Sequence, residues 1–161
     1  MPSRPEKNDQ FGRAVAVGDM TGDGRADVLT GAIGYEVRGI ADAGAVLLLP
    51  GSAQGLTGAG SVMLTQNGPG APDNPLNILG PAETLDYFGQ STAILDLDGV
   101  GSLDMLVASS FDGATGQMAE LDPVYVTMRP RGTKLVGLVP VRVWTGRDLG
   151  AYSAGHTLLH R

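Results

Sequence analysis

The stretch Asp19-Met20-Thr21-Gly22-Asp23-Gly24-Arg25-Ala26-Asp27 lies between two short apolar runs and decides how the chain is read. Oxygen-bearing side chains fall at alternate positions (Asp19, Thr21, Asp23), a glycine permits a sharp turn, and Asp27 closes the set. Ca²⁺ takes about 6–8 oxygen ligands at about 2.3–2.6 Å. A short loop meets that demand when alternate side chains turn inward and one backbone carbonyl joins them. Arg25 would supply the carbonyl, with its own side chain outward. The spacing predicts a calcium loop between two strands.

The pattern returns at Asp96-Leu97-Asp98-Gly99-Val100-Gly101-Ser102-Leu103-Asp104. The same 77 positions separate Asp19 from Asp96 and Phe11 from Phe88, so each loop follows a Phe-Gly pair at a constant distance. One acidic, glycine-rich loop is weak evidence, because Asp and Gly are ordinary turn residues. Two in register with their flanks mark an internal repeat.

A chain of 161 residues is sized for one domain. Hydrophobic content of 42% against 17% charged residues suits a folded, soluble protein. The 25 glycines and 10 prolines point to many short strands and turns. A net charge of −6 argues against a nucleic-acid or anionic-membrane partner. No apolar run reaches the roughly 18 residues of a membrane helix, so no membrane insertion is expected. With no cysteine, the redox compartment is not revealed. The N-terminus has no apolar core and does not read as a secretory signal; the chain is either not exported by that route or a piece of a longer one.

Residues 1–10 read as a flexible lead-in, and 11–66 as a first unit of four strands (11–18, 27–33, 44–49 and 61–65). Residues 67–86 read as a Pro/Gly-rich connection. Residues 87–146 repeat the order (88–95, 104–109, 124–128 and 139–145), and 147–161 read as a closing strand or the start of a third unit. Four antiparallel strands per repeat make a β-propeller blade, which must stack on neighbours. The fold class is therefore all-β: two four-stranded antiparallel blades plus an extra C-terminal strand.

At this point Phe11-Gly12, the loop 19–27 and Gly31-Ala32-Ile33 together resemble an FG-GAP repeat, the blade of the integrin α-subunit propeller and of related bacterial surface proteins. Phe88-Gly89, the loop 96–104 and Ala108-Ser109-Ser110 form a second, worn copy. Residues 49–56 and 66–72 look like secreted actinobacterial members. The resemblance implies Ca²⁺ held by Asp19, Thr21, Asp23, the Arg25 carbonyl and Asp27. In the second loop it implies Asp96, Asp98, the Ser102 carbonyl and Asp104. Two departures stand out. Thr21 replaces an acidic or amide ligand, and Val100 offers no side-chain oxygen at the fifth position of its loop. The second site is expected to be weaker, water-assisted or empty. Neither loop is an EF-hand, because Thr30 and Val107 stand where that motif needs a bidentate Glu.

Other residue patterns yield bland readings. His156 and His160 lie about 13 Å apart on a strand, which does not chelate. Ser109 and Ser110 near Asp112 lack the Gly-x-Ser-x-Gly elbow of a hydrolase. Arg129, Arg131 and Lys134 read as a solvated corner, and Trp144 as packing between blades. Each Phe-Gly pair reads as an aromatic filling the space between blades beside a glycine that permits close approach. The resemblance implies a non-enzymatic, calcium-binding interaction or scaffold module, extracellular or at the cell surface, with a protein or glycan ligand. Apolar blade faces imply self-association. The alternative is a propeller lectin using Trp144, Tyr125 or Tyr152, and behind it a fragment of a propeller enzyme.

Overall fold

The computed structural model describes residues 6–67, 71–72, 81–97, 99 and 101–109, together with the backbone of two further strands, 124–127 and 140–144. Eight strands in two sheets make up the regular structure, and there is no helix among the described residues. The first sheet has the order β1 (Phe11–Gly18), β2 (Asp27–Ala32), β3 (Ala45–Leu49) and β4 (Val62–Leu64). The second has the order β5 (Ser91–Leu95), β6 (Asp104–Ala108), β7 (Val124–Thr127) and β8 (Pro140–Trp144). Each is an antiparallel meander, as expected of two blades. The expected ninth strand at 152–160 lies outside the described residues.

The internal repeat is a repeat of register. Gly18 pairs with Asp27 as Leu95 pairs with Asp104, Ala16 with Leu29 as Ala93 with Leu106, and Val17 with Val28 as Ile94 with Met105. Because side chains alternate across a strand, one face of blade 1 carries Ala16, Leu29, Val46 and Leu48, and the other carries Val15, Val17, Val28 and Leu49.

One core serves both blades. Met20, Leu29, Val46, Leu48 and Leu64 of the first cluster with Phe88, Met105 and Val107 of the second, and Ile94 and Leu103 pack against them. The blades meet there at backbone distance. A Cβ on Gly31 would overlap the Gly89 carbonyl oxygen, and one on Gly18 would stand 2.7 Å from Ile94 Cγ2. Below these strands, residues 85–88 run beside 41–44. Leu85, Tyr87 and Phe88 donate their amides to the carbonyls of Ala41, Asp42 and Ala43 at 3.2, 3.0 and 3.0 Å. Gly44 and Phe88 form a parallel bridge.

The first strand of the second blade therefore starts later than the sequence suggests. Phe88 to Gln90 lie outside β5, because Phe88 is drawn into the pairing with blade 1. The two Phe-Gly pairs also part company. Phe88 is fully buried, as an inter-blade packing residue should be, whereas Phe11 is 58% exposed and does not fill such a space among the described residues. The Phe-Gly pair is the same at both places; among the described residues only blade 2 has a neighbour on that side.

This asymmetry yields a paired prediction. Phe88→Ala should cost about 3–5 kcal/mol, the usual penalty for emptying a buried aromatic site. Phe11→Ala should stay within about 0.5 kcal/mol. Urea denaturation of both variants checks it, and equal losses would contradict the arrangement.

Candidate metal centre

The loop from Asp19 to Asp27 is built on its own carboxylates. Gly22 and Gly24, at φ of 73° and 83°, let the chain fold back so that its amides face inward. Asp19 Oδ1 accepts from the amides of Gly22 and Asp23 at 2.7 and 3.0 Å, and its Oδ2 accepts from Gly24 at 2.9 Å. Asp27, fully buried at the start of β2, accepts from Thr21 N–H at 2.7 Å and from Gly51 N–H at 2.8 Å. It thereby ties the β1–β2 loop to the corner after β3. Gly51 has to be glycine there, since a Cβ would overlap the Ala26 carbonyl oxygen.

Asp23 faces Arg25. Its Oδ1 accepts the Arg25 amide and its Oδ2 the guanidinium Nη1, both at 2.9 Å. The Arg25 backbone N–H is the main reason the Asp23 carboxyl sits below its ordinary 3.8; the Arg25 guanidinium lowers it further, against an opposing push from desolvation. Thr21 Oγ1 is buried and has no hydrogen-bond partner of good geometry. Met20, in the middle of this polar loop, points into the core and is fully buried.

The second loop reuses the frame. Gly99 and Gly101 adopt φ of 72° and 84°, matching Gly22 and Gly24. Asp96 Oδ2 accepts from Gly101 N–H, and buried Asp104 Oδ2 from Leu97 N–H, both at 2.9 Å. Ser102 is buried beside them. Asp98 and Val100 lie outside the described residues, as do both histidines, the Arg129–Lys134 cluster, Ser110 and Asp112.

The donor chemistry of the first loop fits a hard cation: three carboxylates, a hydroxyl without a partner and the Arg25 carbonyl in nine residues. The arrangement shown is a closed one. No three acidic or histidine side chains stand together as a metal cluster among the described residues. Asp19, Asp23 and Asp27 are each engaged with different donors. The sequence reading foresaw the turn between β1 and β2. It missed the Asp23–Arg25 pair, for it placed the Arg25 side chain outward, away from the loop. It also missed the role of Gly51, whose only signal is a glycine at a strand end.

Two predictions follow from this geometry. Asp27→Ala strips the acceptor from two amides and should cost about 2–4 kcal/mol by urea denaturation, with Asp27→Asn recovering part of it. The Asp23 carboxyl resonance should titrate below 3.8, and Arg25→Ala should raise its midpoint without fully restoring it, because the backbone amide remains. A depressed carboxyl favours the folded loop above its ordinary value, and that contribution fades as pH falls through the lowered one.

Comparison with known proteins agrees with this architecture. The FG-GAP repeat family model matches residues 11–49, the whole of β1, the loop, β2 and β3. Integrin alpha-IIb of Mus musculus is 35% identical over 112 residues, which take in 66% of this chain and 10% of the integrin subunit. This chain thus spans only a small part of that relative's length. With two blades sharing one register and one core, the chain is an FG-GAP, integrin-like repeat protein.

Proposed function

We propose that this protein is a calcium-binding, non-enzymatic interaction or scaffold module, working outside the cell or at its surface, whose loops are stiffened by the ion. The observation that supports it best is the first loop: three carboxylates and a buried hydroxyl without a partner, folded around inward-facing amides. Asp19, Thr21, Asp23 and Asp27, with the Arg25 carbonyl, would hold Ca²⁺. Asp96, Asp98 and Asp104, with the Ser102 carbonyl, would form a weaker second site. The ion would supply positive charge that relieves repulsion among the carboxylates.

This chain's own residues set the terms. Asp23 would have to release the Arg25 guanidinium to join its neighbours, so Arg25 competes with the cation. Exposed ion pairs of this kind are weak, so that competition is modest. Asp27 itself would anchor the loop with or without an ion, because one amide donor, Thr21, belongs to the loop and the other, Gly51, to the corner after β3.

Calorimetric titration checks the reading. The wild type should bind Ca²⁺ with Kd of about 10⁻⁴–10⁻³ M, the range of extracellular modules. Arg25→Gln should tighten binding by about 1.5–5-fold by removing the competitor. Asp23→Asn should weaken it. Silence at about 10 mM Ca²⁺, well above that range, would refute the proposal.

A further inference from the structure

The two candidate ion loops meet across the junction between the blades. Gly18, the residue before Asp19, lies against blade 2: a Cβ there would stand 2.7 Å from Ile94 Cγ2 and 3.0 Å from Leu103 Cδ1. Leu103 belongs to the second loop, between Ser102 and Asp104. Both sides of this contact are held. Gly18 pairs with buried Asp27, and its carbonyl accepts the Met20 amide at 2.9 Å. Met20 is fully buried in the shared core against which Ile94 and Leu103 pack. Ser102 and Asp104, on either side of Leu103, are buried, and Asp104 Oδ2 accepts the Leu97 amide. The repeat does not supply this pair twice. At an offset of 77, Gly18 answers to Leu95 and Leu103 to Ala26. The glycine–leucine contact therefore belongs to this junction and not to the motif.

We propose that Leu103 is a positioning residue that couples the two loops, so that Ca²⁺ in either one raises the affinity of the other. The inference rests on the calcium reading above. Leu103 offers no side-chain oxygen and acts only through what it packs on. Asp19 is turned to the amides of Gly22, Asp23 and Gly24. Gathering its carboxylate on an ion rearranges the backbone beside Gly18. Ile94 and Leu103 leave no room for a Cβ on that residue, and a close-packed interior transmits displacement instead of absorbing it. The backbone of 102–104, which carries the Ser102 carbonyl and the Asp104 carboxylate, is thereby steadied when the first loop closes on its ion. A loop already ordered loses less freedom on binding, which is positive coupling. Linkage makes the factor the same in both directions. Repulsion between the two dications works against it and is screened by salt.

The test is a Ca²⁺ titration of the full chain at about 0.15 M ionic strength. It is followed by NMR at the Gly24 and Gly101 amides, which report on Asp19 in one loop and Asp96 in the other. Both should respond in the wild type. Asp96→Asn, at an exposed position of the second loop, should raise the Gly24 midpoint by about fivefold or more. In a Leu103→Ala chain, which keeps every donor oxygen, the same Asp96→Asn change should move the Gly24 midpoint by less than about twofold. Leu103→Val, a milder truncation that also removes Cδ1, takes the place of Leu103→Ala if that chain does not fold. A Gly24 midpoint that ignores Asp96→Asn, a response at one amide alone, or a shift that survives intact without Leu103 would overturn the coupling and leave the calcium reading standing. Silence at both amides up to about 10 mM Ca²⁺ would refute that reading and the coupling with it.

Discussion

Everything in this fold leans on two backbones brought close enough that no side chain fits between them. Gly89 rests on Gly31, Phe88 bridges to Gly44, and the surrounding apolar residues of both sheets close over the contact. A four-stranded sheet alone would leave both faces wet. Here one face of blade 1 and one of blade 2 become a single interior, and the burial of Phe88 in it is worth about 1.5–3 kcal/mol from transfer alone. The hydrogen bonds from residues 85–88 to 41–43 fix the direction of approach, which apolar contact by itself leaves free.

The loops are a separate problem solved with the same residue types. Asp19, Asp27, Asp96 and Asp104 all accept backbone amides, so each strand-to-strand turn is held by a carboxylate before any ion is considered. Among the described residues only Asp23 has a charged side-chain partner in its own loop, and its exposure, with that of Arg25, places the pair at the rim. The neighbouring aspartates thus differ in kind: Asp27 is buried and ties the loop to the corner after β3, while Asp23 is exposed and paired with Arg25.

Much of this was legible in the sequence because the repeat made it so. The 77-residue offset located both loops, and alternating apolar runs placed all eight strands to within a few residues of where they lie. What stayed hidden was what depends on a neighbour. Phe11 and Phe88 stand in the same Phe-Gly pair, yet one is exposed and the other buried, since burial belongs to the pair of blades and not to the motif. The offset in fact runs further upstream than the Phe-Gly pair. Glu6 and Asp9 match Glu83 and Asp86, a signal available in the sequence that the reading of 1–10 as a lead-in passed over. Arg25 was misjudged for a different reason: two residues from Asp23 and beyond a glycine, its side chain can fold back on the loop, and no periodicity reports that.

The interlock also has a direction in time. In a blade, the glycines that receive a neighbour lie on β2 and just before β3, while the phenylalanine they receive belongs to the next blade, 57 positions after Gly31. A ribosome therefore releases the receiving surface first and the inserting residue later. Domains form from the N-terminus during synthesis at about 5–20 residues per second, so the socket is exposed for several seconds before its plug exists. Met20, Leu29 and Val46 are the residues that face water in that interval, and an array built on this rule grows by one end only.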